Sequence, residues 1–138
     1  MELWQLDATD LARHIRTGQA SAREAVDAVL ARMHQVNPSI NAVVRILEDD
    51  ARAAAETADA ARARGGAMPP LHGVPVTTKI NVDQAGLPTD NGVMALKDFI
   101  VQEDSPVVAN LKHAGAIIIG RTNAPAFSMR IEGQRCPA

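Results

Sequence analysis

Lys79 stands inside LHGVPVTTKINVDQAG, residues 71–86, where Val, Thr and Ile alternate and turn chemistry follows at once. A cation in such a place has two readings. Either its ammonium points to water, as charges at strand edges commonly do, or the side chain is held in a site that uses a neutral amine as a base. Period-two geometry sends Val74, Val76, Thr78, Ile80 and Val82 one way, as the core face, and Pro75, Thr77, Lys79 and Asn81 the other. Lys79 then heads a small polar face at a strand end, and sites in α/β sheets lie beyond the carboxyl ends of strands.

A second run, AGAIIIGRTNAPAFS at 114–128, is a continuously apolar strand ending in three hydrogen-bonding side chains, Arg121, Thr122 and Asn123. A nucleotide site would ask for G-x-G-x-x-G or G-x-x-x-x-G-K-[ST], and neither occurs. Thr122 and Asn123 are read first as caps of a following short helix. The serines are Ser21, Ser39, Ser105 and Ser128. Ser21 and Ser105 read as helix caps, Ser39 follows a helix end, and Ser128 lies in a small-residue turn. None sits in a Gly-rich turn able to offer oxyanion donors. The single cysteine, Cys136, has no disulfide partner, and no Cys/His cluster has metal spacing, so it reads as an inert thiol and no cofactor is implied.

The elements that must position these residues follow from periodicity. Leu6, Leu11 and Ile15, with Gly18 as a stop, predict a helix over roughly 8–16. Ser21 and Glu24 form S-x-x-E ahead of an apolar face of Val26, Val29, Leu30, Met33 and Val36, a second helix that Asn37-Pro38 should end. NAVVRIL is a strand or an extended connection. EDDARAAAETADAARARGG has acids first and arginines last, a third helix whose alanine stripe permits close packing, though an exposed, passive helix is the plainer reading. DQAGLPTDNG is loop throughout, and VMALKDF is at best a helical turn. In EDSPVVANLKHAG, Asp104 or Ser105 caps a short helix with Val107, Val108 and Leu111 facing inward and Gly115 closing it. Helix then strand, twice, predicts α/β layering.

Composition sets the class. At 138 residues, 46% hydrophobic and net charge −2, the chain reads as a soluble globular protein with length for a real core. One Trp, two Phe and no Tyr leave little to stack on bases, and there is no basic excess, so nucleic acid is not an expected partner. No apolar run approaches the roughly 18 residues that span a bilayer, and MELWQLDATD has no signal-peptide pattern; no membrane partner is expected, and a reducing, cytoplasmic setting is the default.

LHGVPVTTKINVDQAGLPTDNG, followed by EDSPVVANLKHAGAIIIGRTNAPAFSM, resembles the amidase signature family. These are serine hydrolases that cleave amides of carboxylic acids through a Ser, cis-Ser, Lys triad. The likeness runs from about Trp4 to Met129 and is dense from Leu71 onward. It implies N-terminal helices followed by helix-strand units, as in the N-terminal portion of that fold, a mixed sheet covered by helices. On this reading 1–138 is the N-terminal piece of one amidase-like domain: a helical region at 1–66, a motif-bearing α/β region at 71–130 and a divergent tail at 131–138.

The resemblance also implies roles. Lys79 matches the family's catalytic lysine, the general base that removes a proton from the nucleophilic serine through the cis-serine. Apolar neighbours on its strand would desolvate it and favour the neutral amine. Ile80 stands where the family commonly has Asp and, on the opposite face, should alter packing more than chemistry. The family's two serines lie in a Gly/Ser-rich segment well downstream of the T-N element, and 1–138 contains no such segment. The expectation is a lysine without its nucleophile and no amide hydrolysis by the chain alone; completed, it would take a small-molecule amide. The alternative is a noncatalytic binding or assembly module. A strand such as AIIIG without its cover should promote self-association or capture of a complementing C-terminal segment.

Overall fold

The computed structural model describes residues 2–129. The tail at 131–138, and with it Cys136, lies outside them. After a 3-10 turn at Leu3–Gln5, α1 spans Ala8–Thr17, opened by the Asp7 carboxylate accepting from the Asp10 N–H and closed by Gly18 at φ 77°. α2 (Ala22–Ile40) begins with the expected reciprocal box: Ser21 Oγ accepts from Glu24 N–H while the Glu24 carboxylate accepts from Ser21 N–H.

Asn37-Pro38 does not end this helix. It continues one turn to Ile40, with Asn41 in the left-handed conformation at φ 47°. Pro38 forfeits one backbone N–H, but the turn is held from the far side. The Asn37 side chain donates to the Val43 carbonyl and accepts from the Val43 N–H, both at 2.8 Å, and Asn37 O accepts from Asn41 N–H at 2.7 Å. Ser39 therefore lies inside the last turn.

β1 (Val43–Ile46) is a true strand, and α3 (Glu48–Ala63) follows directly. The alanine stripe of α3 is not passive. Ala51 and Ala55 are fully buried and join Ile15, Val26 and Leu30 in the core. The Asp59 carboxylate reaches back to the first turn of α2, accepting from the N–H groups of Ala22 at 2.8 Å and Arg23 at 3.0 Å. Two donors that no intrahelical carbonyl can satisfy are thereby paired.

The sheet has three strands in the order β1, β3, β2, with β2 at Pro75–Lys79 and β3 at Ile117–Thr122. β3 is central, antiparallel to β1 and parallel to β2. This α/β arrangement overturns one expectation: AIIIG is no uncovered surface, since β2 pairs along it, β1 joins at Gly120, and Ile117, Ile118 and Ile119 are all buried. Ile117 and Ile119 pack into the helical core with Val74, and Ile118, between them, faces the other side. Gly120 admits β1 closely, because a Cβ there would stand 2.9 Å from the Arg45 carbonyl oxygen.

α4 (Pro106–His113) is capped by Ser105, whose Oγ accepts from Val108 N–H. Val108 is fully buried, but Val107, expected inward, is 59% exposed. One residue along a helix is about 100° of rotation, which so short a helix does not wrap. No described helix is long and apolar enough to cross a membrane, and among the described residues no group of His, Cys, Asp and Glu could hold a metal ion.

Candidate active site

Lys79 is the last residue of β2, paired with Thr122 of the central strand. The chain turns immediately, Ile80 N–H donating to Thr122 O and Val82 N–H to Lys79 O, both at 3.0 Å. The predicted alternation holds in part: Val74, Thr78 and Ile80 are buried and Thr77 is exposed, but Val76 is half-buried like Pro75 and Lys79 on the other face, and the register with β3 shifts between Val76 and Thr77. Val82 lies past the strand end and is only half-buried.

The lysine head group meets a hydroxyl. Lys79 Nζ donates to Ser128 Oγ at 3.3 Å, and Asn81 Nδ2 donates to the same oxygen at 2.9 Å. The expectation that the strand's own apolar residues enclose the amine is corrected, because those residues occupy the opposite side of the pleat. Ser128 lies in a 3-10 turn, Ala126–Ser128, in which Phe127 and Ser128 both adopt positive φ, 49° and 58°. Such backbone is strained for residues with a Cβ. It is seated by Phe127 N–H donating to Asn91 O at 2.9 Å, and by Gly92 (φ 69°), where a Cβ would stand 2.5 Å from the Ala124 carbonyl oxygen. Nothing in the sequence pairs Ser128 with a lysine 49 positions away.

Arg121 organises the turn beneath. Its guanidinium is 1% exposed and donates to the carbonyls of Ile80 (2.9 Å), Val82 (2.7 Å) and Pro88. Its Nε is buried with no hydrogen-bond partner among the described residues. Burial pulls this group below the ordinary arginine range, Asp90 opposes the shift, Arg45 adds to it and Asp83 opposes it; an arginine stays charged nonetheless. The signal that could have marked it is a charge set inside the apolar run IIIGRT.

Thr122 and Asn123 do not cap the next turn. Thr122 Oγ1 donates to Thr78 O at 3.4 Å, stapling β3 to β2, and Asn123 Nδ2 donates to Asn41 O at 3.3 Å. The loop from 83 to 101 is more ordered than loop chemistry alone suggests, with a bridge between Pro88 and Ile100. Asp104 moors it: one carboxylate oxygen accepts from Ala85 N–H at 2.8 Å and the other from Lys112 Nζ at 2.6 Å. The Lys112 bond first, then the Ala85 N–H, hold its carboxyl below the usual range against the opposing effect of burial.

A lysine amine, a hydroxyl and a side-chain amide thus converge at the carboxyl end of a parallel strand. The arrangement can pass a proton between nitrogen and oxygen.

A family model described as Amidase matches residues 24–137. Among curated proteins, the indoleacetamide hydrolase of Bradyrhizobium diazoefficiens is 56% identical over 128 residues, 93% of this chain and 24% of that protein. A component of the glutamyl-tRNA(Gln) amidotransferase of Geobacter sulfurreducens is 39% identical over 134 residues, 97% of this chain and 27% of that protein. Among solved structures, a bacterial aryl acylamidase of the amidase signature family superposes with a TM-score of 0.84 at 27% identity, over 88% of this chain and 26% of that one. The chain therefore spans about a quarter of the length of these relatives.

Proposed function

The chain belongs to the amidase family, and from that membership we propose that it supplies the general base, Lys79, of a hydrolase that cleaves the C–N bond of a carboxylic acid amide. The observation that carries this reading is the Lys79 amine, presented at a strand end and hydrogen-bonded at 3.3 Å to a hydroxyl oxygen. In the reaction a neutral amine takes the proton of a serine hydroxyl, and the oxygen attacks the amide carbonyl carbon. The C–N bond breaks as the lysine returns that proton to the departing nitrogen, and water then releases the acid by the same proton path.

Ser128 is not suited to be the nucleophile of that step. Its own N–H is engaged by Pro125 O at 2.8 Å, so it offers no donor to an oxyanion. We place the nucleophile in the part of the relatives' length beyond this match, and expect no amide hydrolysis by residues 1–138 alone. Phe127 and Met129, 54% and 73% exposed on either side of Ser128, offer apolar surface for a complementing segment. The 56% identity with an indoleacetamide hydrolase, against 39% with the amidotransferase component, favours a small aryl-substituted acetamide over a glutamine-dependent transfer.

The experiment is a chimera in which this chain replaces the matching stretch of the Bradyrhizobium enzyme, assayed for ammonia release from indoleacetamide. Turnover is expected, and Lys79→Ala should lower kcat by about 10²- to 10⁴-fold with little change in KM. Undiminished turnover in that variant would remove Lys79 from the chemistry. Hydrolysis by the unfused chain, lost in Ser128→Ala, would overturn the assignment of the nucleophile elsewhere.

A further inference from the structure

We propose that Arg121 is a positioning residue that holds the turn following Lys79 in its working shape, an inference that rests on reading Lys79 as the base. The guanidinium is buried, and its hydrogen bonds among the described residues go to backbone carbonyls, those of Ile80, Val82 and Pro88. Asp83 and Asp90 act on it through space without bonding to it. For stability alone this is a poor use of the volume, since an apolar side chain of that length would escape the desolvation penalty. What the planar fork supplies is geometry. It takes acceptors from several directions at once, and here they belong to a single stretch that begins at the residue after Lys79.

The rest of β3 completes the hold. Thr122 accepts from Ile80 N–H and donates to Thr78 O, so the peptide groups on both sides of Lys79 are fastened from the central strand. In the parallel register Thr78 pairs with Arg121 and Lys79 with Thr122, so Arg121 and Lys79 leave the sheet on opposite faces. Arg121 therefore acts on the lysine through the backbone of 80–82 and not by contact with its amine. A slackened turn would let Lys79 and Asn81 drift from Ser128.

The test uses Arg121→Met and Arg121→Lys in the 138-residue chain. In Arg121→Met, amide hydrogen exchange across 81–89 should rise about tenfold or more while buried amides of α2 stay within about twofold, and Arg121→Lys should fall between. Acetylation of Lys79 relative to the exposed Lys97 should rise at least about twofold in Arg121→Met, with the unchanged α2 amides excluding general loosening as its cause. Exchange across 81–89 that is unchanged, or a rise shared equally by α2, or an unchanged acetylation ratio overturns the proposal. If Arg121→Met does not fold, the wild-type side chain decides by NMR: slow rotation about its Cζ–Nη bonds supports the hold on three carbonyls, and free rotation ends it. Neither readout needs amide turnover, so a failure of Lys79 as base and a failure of Arg121 as its support remain distinguishable.

Discussion

Asp104 carries a role at the residue scale that its position in EDSPVV half suggests. Either it or Ser105 could cap the helix on sequence grounds; Ser105 caps, and Asp104 instead ties Ala85 to Lys112. Its folded carboxyl titrates below the ordinary value of about 3.9, so the native state favours the charged form. That stabilisation is complete above the unfolded value and disappears as pH falls through the lower, folded one. Urea midpoints of wild type and Asp104→Asn should therefore differ at pH 6 and converge as the pH drops below about 4; a gap that is constant with pH would contradict the assigned bonds. Lys79 is legible in the sequence as a residue out of place in an apolar strand. Its partner Ser128 is not, because a contact between residues 49 apart is made by the fold and leaves no local spacing to read. Thr122 and Asn123 depart from the expected caps for a related reason: their acceptors, Thr78 and Asn41, belong to neighbouring elements.

The helices, as elements, are the most legible part of the chain, since capping boxes and glycine stops act within a few residues. The exceptions come from tertiary contacts. α2 outlasts Pro38 because Asn37 grips Val43, and α3 is no spectator because Asp59 caps α2 from 37 positions away. The two helices also share an exposed ladder of charges, Arg23 with Asp27 and Glu56, and Arg52 with Asp27 and Glu48. Exposed pairs of that kind contribute little, about 0–1 kcal/mol each. Two helix N–H groups left without an acceptor weigh more, about 1–3 kcal/mol. Asp59→Ala should therefore lower unfolding stability clearly more than Glu56→Ala does, in matched urea titrations. Equal effects would mean that the cap is not formed in solution.

For the whole molecule, the α/β class follows from helix and strand alternating along the chain, but strand order does not. AIIIG reads identically as an edge or a centre strand, and only the pairing of β1 and β2 on its two sides decides between them. Exposed large apolar side chains among the described residues are scattered, on Trp4, Ile40, Val44 and Val107 as well as on Met94, Phe99 and Ile100 of the loop, and include Phe127 and Met129 on either side of Ser128. Exposed side chains of this size favour association when they are contiguous. Sedimentation of the free chain should therefore show concentration-dependent self-association, weakened by Phe127→Ser with Met129→Ser; a strictly monomeric wild type would contradict that role for the turn. The central claim, that the Lys79 amine is the base of amide cleavage, is tested most directly by chemical rescue in the indoleacetamide hydrolase chimera. Turnover lost in Lys79→Ala should return on adding ethylamine, in proportion to its unprotonated form. A folded Lys79→Ala chimera that binds indoleacetamide normally yet gains nothing from the amine, or that needs none, would contradict the claim.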